Sequence, residues 1–159
     1  MYITLLCVGK IKEKYWQDAI AEYAKRLRSY HQFQIITVAD EKDPAQESDK
    51  ALAQLKEREG ERLLKHIRDD DYVVALEISG KAYDTLALAD WLQRLDAQGH
   101  SHLVFVIGGS YGLADSVCAR SNAALSFSKL TFPHQLMRVI FCEQLYRTAR
   151  INSGQKYHK

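Results

Sequence analysis

Two stretches of the chain are apolar at every position, and this pattern constrains the fold more than any other feature. "YVVAL" begins at Tyr72 and "LVFVI" begins at Leu103. A strand that is apolar on both faces is typical of a parallel sheet with helices packed on each side. Elsewhere apolar residues recur at helical spacing, as Ile20, Tyr23 and Leu27 do. Strands and helices alternate, which predicts an α/β fold with a mostly parallel sheet.

The predicted elements follow one another without a break that would separate two domains. We find no repeat and no low-complexity linker, and 159 residues fit one domain of roughly 100–150 residues or slightly more. We therefore expect a single domain over residues 1–159 with helices on both faces of the sheet. Ser48 is a plausible cap of the second helix, and Pro133 is expected to open the last one. Strands are predicted at about 2–10, 33–40, 70–80, 103–107 and 122–130, and helices at about 12–28, 48–67, 85–97, from 114, and 133–150.

Composition excludes several classes of protein. No apolar run approaches the roughly 20 residues of a membrane helix, and the start lacks the basic segment of a signal peptide, so a cytoplasmic location without a membrane partner is expected. Cys7, Cys118 and Cys142 lie far apart without a Cys-x-x-Cys spacing, which indicates free, buried thiols. His100 and His102 have no third ligand near them in the sequence, so no metal is expected.

Charge is distributed unevenly although the formal net charge is only +2. Basic residues outnumber acidic ones between Lys10 and Arg28, and after Lys129 the only acidic residue is Glu143. Such an imbalance indicates surfaces that face an anionic partner. Solvated surface charge explains the same pattern, and the sequence alone leaves both interpretations open.

A glycine-rich turn follows the apolar strand that begins at Leu103. Together with segments 76–80 and 126–131, the turn at 107–110 would form one pocket if the three strands are neighbours, because ligands bind at the carboxyl ends of parallel strands. Glycine permits close backbone approach, which suits an adenine edge or a ribose. The phosphate-binding pattern G-x-x-x-x-G-K-[ST] is absent, and "GGSYG" does not match G-x-G-x-x-G, so a dinucleotide site is not supported. A simple tight turn remains the structural alternative.

Several linked motifs resemble one known family. "VGKIKEKYW", "VIGGSYGL", "ALSFSKLTFPHQLMRV", "EQLYR" and the terminal "YHK" occur in the order found in the ribosomal RNA large subunit methyltransferase H family of the SPOUT superfamily. The resemblance implies an enzyme that uses S-adenosyl-L-methionine to methylate N3 of a pseudouridine in 23S ribosomal RNA of the assembled ribosome. It also implies a deep trefoil knot over about residues 103–150 and a homodimer whose active site is shared between the subunits.

The same resemblance implies which residues hold the cofactor. Leu76 and Phe127 would contact adenine, whereas Gly108 and the backbone after Phe127 would supply hydrogen bonds. From the residues alone, Leu76 and Phe127 would instead be ordinary core positions. The expected cofactor-binding set is Leu76, Gly108, Phe127, Ser128, Lys129, Leu130, Thr131 and Phe132.

The last helix and the tail are the expected catalytic region. Arg138 and Arg147 would face RNA phosphates or the charge near the reacting base, Tyr157 could stack on a base, and His158 is the candidate proton acceptor. The structural alternatives are a solvated ion pair between Glu143 and Arg147 and a frayed chain end. The helix is apolar almost all round, which indicates burial in the core and against a partner.

Two other functions remain open at this point. One is a SPOUT-type enzyme that acts on transfer RNA, although this chain has no additional RNA-binding domain and would depend on its own surface. The other is a non-catalytic module that binds RNA or a nucleotide, which would not bind S-adenosyl-L-methionine.

Overall fold

The computed structural model describes residues 1–157, so His158, the predicted proton acceptor, lies outside the described residues. The strands are β1 (Tyr2–Val8), β2 (Gln32–Val38), β3 (Tyr72–Ala82), β4 (His102–Ile107) and β5 (Ala123–Ser126). They form one five-stranded sheet in the spatial order β2-β1-β4-β3-β5, and every pairing is parallel. The predicted α/β fold with a parallel sheet is therefore confirmed.

Helices cover both faces of this sheet. They are α1 (Lys14–Leu27), α2 (Asp49–Leu64), α3 (Thr85–Ala97), α4 (Asp115–Arg120) and α5 (His134–Asn152). Buried side chains of α1, α3 and α5 pack with Phe105 on one face, and those of α2 and α4 pack with Val104 and Val106 on the other. The two clusters explain why the central strands are apolar at every position.

The start of α2 agrees with the sequence, whereas the end of β5 does not. The side chain of Ser48 accepts a hydrogen bond from the amide of Ala51 at 3.1 Å, which confirms the predicted cap. The fifth strand was expected to continue to residue 130 but ends at Ser126. The Ser126 hydroxyl donates to the carbonyl of Ser128, and the Leu130 amide donates to the Ser128 hydroxyl. These local bonds replace a strand ladder and turn the chain away from the sheet.

An irregular segment interrupts β3 where it pairs with β5. Both Leu76 and Lys81 pair with Leu125, so residues 77–80 bulge out of the ladder. A Cβ atom at Gly80 would lie 2.7 Å from the backbone of Leu125, which leaves room for glycine alone. The bulge displaces the segment after Leu76 from the sheet and lets it form a wall above the strand ends.

Candidate functional site

Three loops meet at the carboxyl ends of β3, β4 and β5 and enclose a cleft of about 910 Å³. This volume is in the usual range for a small-molecule site, roughly 300–1,000 Å³. The strands β4, β3 and β5 are neighbours in the sheet, which is the arrangement that the sequence required for convergence. The walls come from segments 76–79, 107–113 and 125–133 and from the beginning of α5.

The glycine-rich turn forms the tightest part of the cleft. A Cβ atom at Gly108 would lie 2.6 Å from the carbonyl carbon and 2.7 Å from the carbonyl oxygen of Gly112, and 2.9 Å from the amide nitrogen of Leu113. Gly112 has a φ of +87°, and its amide donates to the carbonyl of Gly109 at 3.1 Å. The turn therefore requires glycine at 108 for close backbone approach and at 112 for its left-handed conformation.

Apolar side chains line the other walls of the cleft. Leu76 and Phe127 are half-buried, and Phe127 packs against Phe141 with a centroid distance of 6.3 Å. Leu130 is 70% exposed at the cleft, so an apolar surface is open to a ligand. Both the core and the ligand interpretations of Leu76 and Phe127 are compatible with their position, since each side chain contacts the core and borders the cleft.

The expected cofactor-binding residues lie together, with one exception. Lys129 is exposed, and among the described residues it does not line the cleft, whereas its two neighbours Ser128 and Leu130 do. The sequence did not predict that the first turns of α5 line the same cleft. His134 and Met137 line the cleft from the first turns of that helix, because α5 begins directly after the third loop. Burial, and next the charge of Arg138, lower the pKa of His134.

Arg138 lies inside the protein and not at its surface. Its side chain is among the largest fully buried ones, and one guanidinium nitrogen donates to the carbonyls of Val8 at 2.5 Å and Gly9 at 2.8 Å. Val8 is the last residue of β1, and Gly9 follows it directly. In this position Arg138 supports the strand end beside the cleft, and an RNA phosphate would have to displace the two carbonyls to reach it.

Arg147 forms a cluster with Glu143 and the tail. Its guanidinium donates to the Glu143 carboxylate at 2.5 and 3.0 Å and lies 4.7 Å from the ring centroid of Tyr157. Tyr157 also packs edge-on against Tyr146 at a centroid distance of 5.0 Å. The pair is half-buried, with 25% exposure for Arg147 and 17% for Glu143, so it is not a solvated surface pair. The chain up to Tyr157 is folded onto α5.

The cleft and the tail occupy different parts of α5. Met137 lines the cleft, whereas Arg147, which contacts Tyr157, lies about 15 Å further along the axis at about 1.5 Å per residue. Within one protomer the described part of the tail therefore does not cover the cleft. The sequence-based assignment of the tail to the catalytic region therefore requires either a different tail position or a second protomer.

His102 and Cys118 form hydrogen bonds away from the proposed catalytic groups. His102 bonds to Asp71 at 2.6 Å and to Thr4 at 2.9 Å. Cys7, Cys118 and Cys142 are free, and the half-buried Cys118 thiol donates to Glu77 at 3.2 Å. Within residues 1–157 no group of three or more histidine, cysteine or acidic side chains is placed to hold a metal ion. A search of the same residues found no helix long and apolar enough to cross a membrane.

A parallel sheet with a ligand cleft built from three loops at its carboxyl ends, over the start of the last helix, is compatible with a methyltransferase of the SPOUT class. The family model described as "Predicted SPOUT methyltransferase" matches residues 1–158, and the chain belongs to this family. The protein is accordingly an enzyme that uses a methyl donor. A relative, the ribosomal RNA large subunit methyltransferase H of Bifidobacterium adolescentis, is 54% identical over 159 residues, which cover 100% of each chain. The knot expected for residues 103–150 stays a prediction that family membership supports.

Proposed function

We propose that the protein transfers the methyl group of S-adenosyl-L-methionine to N3 of a pseudouridine in 23S ribosomal RNA of the assembled ribosome. The observation that carries this proposal is the 54% identity, over the full length of both chains, to a large-subunit ribosomal RNA methyltransferase. The cytoplasm, where ribosomes are found, is the expected location. The relative acts on ribosomal RNA according to its name, which argues against the transfer-RNA and non-catalytic alternatives.

The cleft fits the proposed methyl donor. Leu76 and Phe127 would sandwich the adenine, and the backbone of Gly108 and of residues 128–131 would accept and donate its hydrogen bonds. The fit rests on the turn itself, because a Cβ atom at Gly108 would clash with the backbone of Gly112 and Leu113, and both of these residues line the cleft. When bound, the sulfonium supplies an electrophilic methyl group, and the remaining task of the protein is to orient the acceptor nitrogen and remove its proton.

We propose that residues of α5 and the tail promote removal of the proton from N3. The imide N–H of the base is a weak acid, and a nearby positive charge favours its anion. Hydrogen bonding to Glu143 raises the pKa of Arg147, so this guanidinium keeps its charge. We assign stacking on the base to Tyr157 and acceptance of the proton to His158. Arg138 would hold the strand end beside the cleft.

The proposed active unit is a homodimer in which the tail of one protomer serves the cleft of its partner. Two observations support it. The tail cluster lies about 9 Å (Glu143) to about 15 Å (Arg147) along α5 from Met137 in the cleft of its own protomer. The apolar side chains of Leu136, Val139 and Ile140 on the same helix are half-exposed in the single chain, and a second copy would bury them.

Methyl transfer from labelled S-adenosyl-L-methionine tests the reaction. Assembled ribosomes, free ribosomal RNA and transfer RNA are offered to the wild type and to His158→Ala. We expect label in the ribosomes of the wild-type reaction and a loss of at least about 100-fold in the variant, the usual scale of general acid–base catalysis. Label in transfer RNA alone would favour the other SPOUT substrate, and equal activity of the variant would remove His158 from the mechanism.

Complementation tests the shared site. Gly108→Ala, which damages the cleft, and His158→Ala, which damages the tail, are each expected to have little activity as separate homodimers. Mixing and re-annealing them would produce heterodimers with one intact composite site, and activity should return to about a quarter of the wild-type value. No recovery, with heterodimers demonstrated by native mass spectrometry, would show that each site belongs to a single protomer.

A further inference from the structure

A second cleft of about 490 Å³ adjoins the first one across the glycine-rich turn. It is formed by the ends of β1 and β2, by α2 and by the beginning of α5. The two clefts share the segment Gly109–Tyr111 and the residues His134 and Gln135. A ligand at this boundary would therefore be in contact with both clefts.

Glu59 is the buried acid in the wall of the second cleft. Its side chain lies on α2, and the residue is only 4% exposed. One carboxylate oxygen accepts a hydrogen bond from the amide of Glu41 at 3.0 Å. The other oxygen, Oε2, is buried without a hydrogen-bond partner in the described part of the chain, and it lies 3.0 Å from the position that a Cβ atom would take on Gly109.

An unpaired buried carboxylate oxygen is costly, and it points to a donor that arrives with a ligand. Glu13, the N-cap residue of α1, also lines this cleft and has a buried Oε2 without a hydrogen-bond partner in the described part of the chain. Glu59 differs from it because its carboxylate lies against Gly109, at the boundary with the first cleft. Glu41 is engaged by Arg58 and Arg62, and Asp40 and Asp43 are exposed at the same cleft. The exposed lysines Lys10, Lys12 and Lys42 also line the cleft and offset the carboxylates, so that RNA can approach.

Resting on the proposed function, we propose that Glu59 accepts a hydrogen bond from the N1–H group of the acceptor pseudouridine and so distinguishes this base from uridine. In pseudouridine the sugar is attached to carbon, which leaves hydrogen on both N1 and N3, on either side of one carbonyl. In uridine N1 carries the sugar and has no hydrogen. A base at the boundary of the two clefts can present N3 to the methyl donor and N1 to Glu59.

The test compares ribosomes that carry pseudouridine or uridine at the acceptor position. The wild type should prefer pseudouridine, and Glu59→Gln should reduce this preference by about tenfold or more, because a glutamine whose oxygen accepts from Glu41 presents an NH₂ group to the ligand. The matched control is Glu57→Gln, an exposed residue of the same helix, which should behave as wild type. Affinity for S-adenosyl-L-methionine, measured by calorimetry, should be unchanged in both variants.

Each other outcome overturns the assignment in a recognisable way. An unchanged preference in Glu59→Gln with normal transfer would overturn this inference alone, and weakened binding of S-adenosyl-L-methionine would show that Glu59 faces the ammonium group of the donor. No transfer by the wild type to any ribosome would refute the proposed function and this inference with it. A measurement on the wild type covers the case in which the variant does not fold. Ribosomes with N1-methylpseudouridine should be at least about tenfold poorer acceptors, and equal methylation would refute the hydrogen bond.

Discussion

Replacement of Gly108 by alanine tests whether the glycine-rich turn shapes the methyl-donor cleft. The added Cβ atom would lie 2.6 Å from the carbonyl carbon of Gly112 and 2.9 Å from the amide nitrogen of Leu113. Packed carbon atoms are normally about 3.5–4.0 Å apart, so the backbone of the turn must move by about 1 Å. Neither neighbour is a flexible side chain that could rotate away. Gly108→Ala should therefore change the geometry of the cleft and not only its stability.

Two effects are expected and can be measured separately. Overpacking costs about 1–3 kcal/mol, which lowers the midpoint of thermal unfolding by about 2–12 °C in a chain of this length. Because Gly112 and Leu113 both line the cleft, affinity for S-adenosyl-L-methionine should fall at least about tenfold, equivalent to about 1.4 kcal/mol. Thermal unfolding followed by circular dichroism measures the first effect, and calorimetric titration at 25 °C measures the second on folded protein.

Gly99→Ala is the matched control. Gly99 has a φ of +87°, and in contrast to Gly108, within the described chain no heavy atom beyond its neighbours lies within 4 Å of an added Cβ. It lies between α3 and β4, near the amino end of β4, whereas the cleft lies at the carboxyl end of that strand. The variant should lose about 1–2 kcal/mol through backbone strain and keep its affinity for the donor. Our reasoning would be refuted if Gly108→Ala unfolded within 1 °C of the wild type (roughly the scale of a 0.3 kcal/mol change) and bound the donor normally, or if Gly99→Ala lost equal affinity.

Three further predictions concern α5 and the tail. Arg138→Met should lower the free energy of unfolding by about 2–5 kcal/mol in a denaturant titration, since it leaves two backbone carbonyls without a donor, and an unchanged midpoint would exclude this role. Burial lowers the pKa of His134 and of His31. On acidification the unfolded chain therefore binds protons before the folded protein does. The stability that the neutral histidines provide above about pH 6.5 is lost as the pH falls through and below that value. His134→Gln should flatten the decline of the unfolding midpoint between pH 7.5 and about 5.5, and an identical slope in variant and wild type would contradict the assignment. Tyr157→Phe should retain the contact with the Arg147 guanidinium and most of the methylation rate, whereas Tyr157→Ala should lose both. Equal rates of Tyr157→Ala and the wild type in a methyl-transfer assay would show that the ring is dispensable.

Most of the fold could be predicted because its signals are local. Apolar runs identified the central strands, and the predicted α3 at 85–97 coincides with Thr85–Ala97. The end of β5 could not be predicted, since "FSKLTF" has strand-like composition and its departure from the sheet depends on bonds made by Ser126 and Ser128. The bulge of β3 was also hidden, because it arises from pairing with a strand more than 40 positions later in the chain.

The cleft could be predicted from the sequence more fully than the catalytic region. Glycines and strand ends mark backbone positions, and parallel topology brings such ends together. The partners of charged side chains depend on distances between helices and strand ends that no local pattern encodes. Arg138 donates to carbonyls about 130 positions earlier in the chain. Glu59 lies on α2 and contacts the turn at Gly109, which is 50 positions later in the chain. Neither contact has a spacing that a sequence motif could reveal.

The charges of α5 are already engaged within the protein, and this limits where RNA can bind. The sequence-based hypothesis assigned Arg138 and Arg147 to RNA phosphates or to the charge near the reacting base. Instead Arg138 is held by the end of β1, and Arg147 is held by Glu143 and Tyr157. A phosphate would have to compete with these neighbours at close to full desolvation cost. Exposed lysines beside the second cleft, Lys10 and Lys12, have no such cost, and they lie next to the buried acid that we assign to the base. Phosphate attraction and base recognition are thus expected at the β1 and α2 side of the molecule, with α5 positioning the groups that act on the proton.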